Sequence, residues 1–269
     1  MRKCLNILAA AILSCAAAAS ALAGDRMETA WQGIAEAEVR LVASHVPGVG
    51  DMLGLQFAMA PKWKVYWRSP GDAGFPPVPD WSGSTGAGQF DIAWPLPERF
   101  TFYGLETFGY SDGVMLPIRP DPHSGPMDLQ LLLNYAACAD ICVPVQARLA
   151  LRLPAGPWPA THHARTLAAA LQRVPLPDAA QIEKAEYAGN ALNIALRTEA
   201  DVISPDLIVE APASIILGKP ACEAASTLTR CTVPVVEAPP GRPLDGHDIR
   251  VTLYGENFAT ETVIRFPAE

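Results

Sequence analysis

The chain has 269 residues, of which half are hydrophobic and 18% are charged, and its formal net charge is −8. This balance is enough to build a packed core and excludes wholesale disorder. An acidic chain without a run of lysine or arginine lacks the basic surface that nucleic acids and anionic membranes attract, so neither is expected as a partner.

The first 23 residues predict a secretory signal peptide. Arg2 and Lys3 give a positive start, an apolar stretch runs from Leu5 to Ala19, and residues 21–23 form an Ala-Leu-Ala cleavage site. The apolar stretch is shorter than the about 20 residues that a membrane-spanning helix needs. We therefore expect export to the periplasm, with no membrane span after cleavage. The alternatives are an uncleaved anchor and a lipoprotein modified at Cys15.

Apolar residues alternate with a period of two along much of the remaining chain, which predicts short strands. The chain also contains 26 prolines, and proline favours strands, turns and loops because it is costly inside a helix. Clear alternating segments begin at Leu53, Met127, Leu149, Leu192 and Ile249. The predicted fold class is therefore all-β, built of β-sandwiches.

One segment, 160–173, has helical periodicity instead and is flanked by prolines. We place a domain boundary here. The predicted organisation is a first β domain over 34–153, a linker with a short helix over 154–177, and a second, smaller β domain over 178–269.

Six cysteines are present, and Cys4 falls with Cys15 inside the predicted signal peptide. An even number of remaining cysteines in an oxidising compartment suggests two disulfides. Three pairings are open, and proximity in the sequence favours 138–142 and 222–231. We interpret the second pair as a structural disulfide at a hairpin tip. The four cysteines are Cys138, Cys142, Cys222 and Cys231.

Cys138 and Cys142 lie between two strand patterns and are separated by Ala-Asp-Ile. Two cysteines across so tight a turn can open and close with little effect on the fold, which favours thiol–disulfide exchange. Asp140 lines this site and disfavours a thiolate by like-charge repulsion, and the nearest basic residue in sequence is Arg148. The pair is therefore expected to pass electrons rather than to act as a strong oxidant.

Two alternatives to thiol exchange remain open for the same cysteines. They could form a structural bridge, or they could bind Cu(I), with His123, His162 or His163 as a further ligand. The two adjacent histidines are expected to be solvated at the start of the helix. The chain has no phosphate-binding loop, hydrolase triad or zinc signature, so no cofactor is predicted.

Three segments of the first domain resemble the N-terminal periplasmic domain of the DsbD family, the thiol:disulfide interchange proteins. A fourth segment resembles the ScsB-like branch of that family, which is linked to copper tolerance. The segments are Tyr-Ala-Ala-Cys-Ala-Asp-Ile-Cys-Val-Pro at 135–144, Ala-Pro-Lys-Trp-Lys-Val-Tyr at 60–66, the run from Trp94 to Gly104, and, for the ScsB-like branch, 66–74.

The resemblance implies an immunoglobulin-like sandwich and a redox-active cysteine pair. Cys142 would form the mixed disulfide with a partner and Cys138 would resolve it. The implied partners are periplasmic thiol–disulfide proteins and a separate membrane electron donor. The family motif has more residues between its cysteines than the three found here.

The resemblance also implies further site residues around the two sulfurs. Phe102 and Tyr103 would cap the cysteines until a partner displaces them, and an apolar cap slows wasteful oxidation of an exposed dithiol. Trp63 and Tyr66 would line the site.

Overall fold

A computed structural model describes residues 27–102, 105–122, 125–241 and 243–267, with the backbone alone at Phe102. The predicted signal peptide with Cys4 and Cys15, the capping residue Tyr103 and the candidate ligand His123 lie outside the described residues. Nothing in the structure bears on the side chain of Phe102.

Eleven strands of the described residues form the first sandwich, because their alternating apolar side chains pack between two sheets. One sheet has the order β1-β2-β3-β9-β6 and the other β11-β10-β4-β8-β7, with β5 added beside β10. The strands are β1 (Gln32–Ile34), β2 (Ala37–Val46), β3 (Gly50–Met59), β4 (Lys64–Gly71), β5 (Val78–Asp80), β6 (Phe90–Ile92), β7 (Glu98–Phe102), β8 (Leu105–Ser111), β9 (Gly113–Pro120), β10 (Met127–Cys138) and β11 (Cys142–Leu153).

The second sandwich is smaller and has its own apolar core. Its sheets have the orders β12-β20-β19-β15 and β13-β14-β18-β16, with β17 added beside β18. The strands are β12 (Leu176–Pro177), β13 (Ala180–Ala188), β14 (Ala191–Thr198), β15 (Asp206–Glu210), β16 (Ile216–Leu217), β17 (Ala221–Ala225), β18 (Leu228–Glu237), β19 (Asp248–Tyr254) and β20 (Ala259–Arg265).

The segment between the sandwiches contains α1 (Ala164–Leu171), which is the one α-helix of the described residues. Leu167 and Ala170 are its buried residues, and they pack against Val42, Met52 and Met115 on the outer face of the first sheet. The small and apolar residues of α1 recur at helical spacing, so they form one face of the helix. That face covers a part of the sheet that would otherwise be exposed. No described helix is long and apolar enough to cross a membrane.

The predicted fold class is therefore confirmed: an immunoglobulin-like β-sandwich and a second, smaller sandwich joined by a short helix. The two sandwiches contact each other. Ile208 of β15 is buried with the core of the first sandwich, and Tyr254 of β19 packs beside it. Arg68 of β4 pairs with Glu210 and Glu261 of the second sandwich.

Candidate thiol–disulfide site

Cys138 and Cys142 close the long β10–β11 hairpin. The strands pair in unbroken register from Met127 opposite Leu153 to Cys138 opposite Cys142. The two sulfurs form a disulfide, with the Cα atoms 4.1 Å apart. The Ala139 N–H donates to the Ile141 carbonyl at 2.9 Å, which completes the turn. The hairpin therefore holds both sulfurs together at one end of the sheet.

The two cysteines differ sharply in exposure. Cys138 is 1% exposed, whereas Cys142 is exposed to solvent. A thiolate that attacks this disulfide must approach a sulfur along the S–S axis, so access decides which sulfur is attacked. The geometry therefore favours attack at Cys142 with Cys138 as the leaving group.

Tyr66 of β4 lies directly beside the disulfide. Its hydroxyl oxygen is 3.6 Å from the Cys142 sulfur, within hydrogen-bonding reach for sulfur. Its side chain is 4% exposed and clusters with Ala136 and Cys138. Burial raises the pKa of the Tyr66 hydroxyl above its usual value, so the group keeps its proton and can donate it to a sulfur anion.

The loop after β4 packs onto the ring of Tyr66 at Gly74. This glycine has φ +125°, and a Cβ atom there would lie 2.4 Å from Tyr66 Cε1. A side chain would clash with the ring and would also strain the backbone. Gly74 thus lets the loop close over Tyr66 and fix its position against the disulfide.

Lys64 is a charged neighbour that inspection of the nearby sequence missed. It pairs directly with Cys138 across β4 and β10, so both side chains lie on the same face of the sheet. Its ammonium lies 4.5 Å from the centre of the Phe100 ring, and burial lowers its pKa. Lys64 lies within segment 60–66, one of the segments that carry the resemblance. From that segment the resemblance gave Trp63 and Tyr66 as site residues, but not Lys64.

The other predicted site residues occupy different surroundings. Trp63 is partly buried and packs against the main core of the first sandwich rather than in the cluster of Tyr66 and Cys138. Asp140 is exposed in the hairpin turn. The backbone of Phe102 pairs with Leu105 at the end of β7, so the tip of the β7–β8 hairpin is where a cap would begin.

An apolar cleft of about 420 Å³ lies along the β10–β11 hairpin, and its lining residues Ala136 and Pro144 are each two positions from a cysteine. It is bounded by the loop after β4, by β5 and by the β10–β11 hairpin, and its lining residues include Phe75, Val78, Ala136 and Pro144. Phe75 is 67% exposed and Val78 is 56% exposed, and Ile141 in the turn is 67% exposed. A group of exposed apolar side chains is typical of a protein-docking site.

The second cysteine pair lies in the second sandwich. Cys222 and Cys231 face each other across β17 and β18 and form a disulfide. Cys231 is 3% exposed and belongs to the apolar core of that sandwich. Its interpretation as a structural bridge stays a prediction.

The expectation that both histidines before α1 are solvated was wrong for one of them. The His162 side chain is 73% exposed, but that of His163 is 3% exposed, because Glu28 of the N-terminal segment lies against it. Within the described residues, the group of close metal-ligating side chains consists of Glu28, His162 and His163 and includes neither cysteine. The Cu(I) alternative at Cys138 and Cys142 stays a prediction.

Comparison with known proteins matches each sandwich to a family. Residues 33–154 match the family of the N-terminal domain of the thiol:disulfide interchange protein DsbD. The first sandwich is DsbD-like. This confirms the resemblance inferred from the sequence segments, and the match includes both cysteines of the hairpin. Residues 173–268 match a domain of unknown function, DUF8393.

One solved structure aligns with nearly the whole chain. The N-terminal periplasmic domain of ScsB from Proteus mirabilis has a TM-score of 0.72 and 22% identity, over 91% of this chain and 100% of that chain. The likeness shows that the DsbD-like sandwich and its smaller neighbour share their fold with that domain. Comparison with curated proteins gives no match.

Proposed function

We propose that the DsbD-like sandwich carries out thiol–disulfide exchange through Cys138 and Cys142 and passes electrons to partner proteins. The observation that carries this proposal is the unequal exposure of a disulfide at a hairpin end: Cys142 is exposed and Cys138 is 1% exposed. A bridge that served stability alone would not need one open sulfur beside an apolar cleft. The family name of the matched domain supports the same chemistry.

The oxidised pair is reduced first. A thiolate of an electron donor attacks the Cys142 sulfur, the Cys138–Cys142 bond breaks, and Cys138 leaves as a thiolate. A second thiol of the donor then resolves the mixed disulfide, so that the donor becomes a disulfide and the pair becomes a dithiol. Two electrons enter the protein, and we propose that the donor is a separate membrane protein.

The reduced pair then acts on a partner. The Cys142 thiolate attacks a partner disulfide, and one partner sulfur leaves as a thiolate. Cys138 next attacks the Cys142 sulfur, which releases the second partner sulfur and restores the Cys138–Cys142 bond. The partner gains two electrons and ends with both thiols reduced.

Two side chains lower the free energy of the anions in these steps. The Tyr66 hydroxyl lies 3.6 Å from the Cys142 sulfur and donates to it when it is a thiolate. Lys64 pairs in register with Cys138, and although its ammonium rests on the Phe100 ring, its positive charge on the same sheet face favours the thiolate form of Cys138. These interactions offset the repulsion that Asp140 was expected to cause.

The apolar cleft would receive the partner. Phe75 and Val78 line one wall, and the open sulfur lies close by at the hairpin end. Burying these exposed side chains against a partner would stabilise the encounter long enough for exchange. We also propose that Phe102 and Tyr103 cover the cysteines when no partner is bound.

We place this function in the periplasm. An exchangeable disulfide belongs in a compartment where thiols are oxidised, and the structurally similar ScsB domain is described as periplasmic.

The reduction potential of the 138–142 bridge tests the proposal. The protein is equilibrated in redox buffers of graded potential, and each bridge is followed by alkylation and peptide mass spectrometry. We expect the 138–142 bridge to open at a potential above about −300 mV, because structural bridges typically lie below that value. The 222–231 bridge is the internal control and is expected to stay closed.

Single-cysteine variants test which sulfur is attacked. Cys138→Ala should form a stable mixed disulfide with glutathione disulfide at Cys142, whereas Cys142→Ala should react far more slowly because Cys138 is buried. Equal reaction rates, or a 138–142 bridge that stays closed below −300 mV, would argue for a structural role instead.

A further inference from the structure

A cluster of two histidines and a carboxylate lies apart from the cysteines, where the N-terminal segment meets the linker before α1. The Nε2 atom of His163 is 2.5 Å from Glu28 Oε2, and the Nε2 atom of His162 is 3.7 Å from the same oxygen. The three ligating atoms all lie within 4.8 Å of one another. His163 is 3% exposed and His162 is open to solvent.

The two imidazoles belong to the turn that precedes α1, in which His163 is the N-cap of the helix. Here the ring centres are 3.8 Å apart, and both Nε2 atoms point towards one carboxylate oxygen. Glu28 Oε2 also accepts a hydrogen bond from Arg40 at 3.0 Å, so two imidazoles and one guanidinium meet at this oxygen. Two imidazole nitrogens and one carboxylate oxygen this close together are donors that one metal ion could share.

Backbone contacts hold the cluster from both sides. Glu28 sits in a β-bridge with Val42, and its neighbour Thr29 donates its N–H to the Leu41 carbonyl at 2.8 Å. On the other side, the N–H of Thr161 donates to Ser44 Oγ at 2.9 Å, just before the histidines. Ligands fixed by backbone contacts lose little entropy when an ion binds.

We propose that Glu28, His162 and His163 bind a divalent transition-metal ion, with zinc as the ion that their chemistry fits best. Two imidazole nitrogens and one carboxylate oxygen are a three-ligand set that zinc accepts with water in the fourth position. Tetrahedral coordination requires ligand atoms about 3.3 Å apart, so Glu28 Oε2 and His163 Nε2 would separate slightly on binding. The ion would join the N-terminal segment to the linker.

Arg40 is the one group of the described cluster that opposes this ion. Its guanidinium is 3.0 Å from Glu28 Oε2, and it is also held by Gln56 and by the face of Trp31. A fixed positive charge next to a cation site weakens binding through Coulomb repulsion. The proposal therefore predicts that neutralising Arg40 tightens the site.

The test is a calorimetric titration of the oxidised full chain with zinc, in which both disulfides are closed and no thiolate competes. We expect one zinc per chain and a higher melting temperature with zinc present. His162→Ala should weaken binding by at least about tenfold without affecting folding, because the residue is exposed. His247→Ala is the matched control, an exposed histidine of the second sandwich that should bind zinc as the unaltered chain does.

Arg40→Gln should instead raise the affinity for zinc, on the order of tenfold, because it removes the positive charge beside the site. The metal site is overturned if the unaltered chain binds no stoichiometric zinc, or if His162→Ala binds as tightly as the His247→Ala control. Weaker binding by Arg40→Gln would also contradict the site. None of these outcomes depends on whether Cys138 and Cys142 exchange disulfides.

Discussion

Tyr66 connects the fold of the first sandwich to its sulfur chemistry. Its ring is held by Gly74, and its hydroxyl is 3.6 Å from the Cys142 sulfur. The family resemblance predicts that Tyr66 lines the site, and the pairing of β4 with β10 is what brings it to the cysteines.

Replacing Tyr66 with Phe should raise the pKa of Cys142. A hydrogen bond to a charged group contributes about 1.5 kcal/mol, which corresponds to about one pH unit. The measurement is a thiolate absorbance titration in a Cys138→Ala background, where Cys142 is the one free thiol of the hairpin. Tyr187→Phe, in the second sandwich, should leave the titration unchanged. An unaltered Cys142 pKa in the Tyr66 variant would remove the hydroxyl from the mechanism.

Replacing Lys64 with Gln should slow the attack of an external thiol on the 138–142 disulfide by roughly tenfold. Cys138 leaves as a thiolate on the same sheet face as the ammonium, so the loss of that charge raises the barrier. The rate of reduction by dithiothreitol at fixed pH gives the comparison. Lys62→Gln makes the same change in net charge at an exposed position and should keep the original rate. If both variants slow equally, the effect comes from net charge and not from Lys64.

At the scale of elements, the β10–β11 hairpin and the loop after β4 together build the proposed docking site. The hairpin presents the sulfur and the loop presents Phe75 beside it. Neither element forms the cleft alone. The proposed docking site therefore depends on the relative position of the two elements, which the pairing of β5 with β10 maintains.

A Phe75→Ser variant should separate docking from chemistry. Reduction of the disulfide by dithiothreitol should stay unchanged, because a small thiol needs no cleft. Exchange with a protein partner should slow by roughly tenfold, the effect of losing an exposed aromatic contact of about 1.4 kcal/mol. Val236→Ser changes an apolar residue of similar exposure in the second sandwich and serves as the control. If reduction by dithiothreitol slowed as much as exchange with the protein partner, the substitution would instead have damaged the disulfide itself.

For the whole molecule, charged pairs join the two sandwiches. Arg68 donates to Glu210 at 2.7 Å and also pairs with Glu261, and Arg99 donates to the Leu207 carbonyl at 2.9 Å. The Arg68 side chain is 17% exposed, so these pairs are largely shielded from solvent. The contact gives the second sandwich a fixed position relative to the first.

Arg68→Met should destabilise the protein by about 3 kcal/mol, because it leaves the partly buried carboxylate of Glu210 without its cation and leaves Glu261 with Arg250 alone. Urea unfolding monitored by fluorescence measures the change. Arg152→Met removes an arginine whose side chain is 87% exposed in its pair with Asp128, and it should cost less than about 1 kcal/mol. Equal stability of the two variants would mean that the interdomain pairs contribute little.

The sequence by itself determined the all-β class, the helix between the sandwiches and the closeness of two cysteines in the chain. Period-two alternation, helical spacing and the separation of two cysteines are local patterns, and the chain carries them before it folds. The helix was expected over 160–173 and occupies Ala164–Leu171, with His163 and Gln172 as its capping residues.

Only the tertiary structure decided that Lys64 lies beside Cys138 and that Glu28 lies beside His163. Lys64 faces Cys138 because β4 lies next to β10, and Glu28 reaches His163 because the N-terminal segment runs beside β2. Strand order depends on how two sheets bury their apolar faces together, and no local pattern encodes it. For this reason the two cysteines, and Tyr66 through the resemblance, could be predicted from the chain, whereas Lys64 could not.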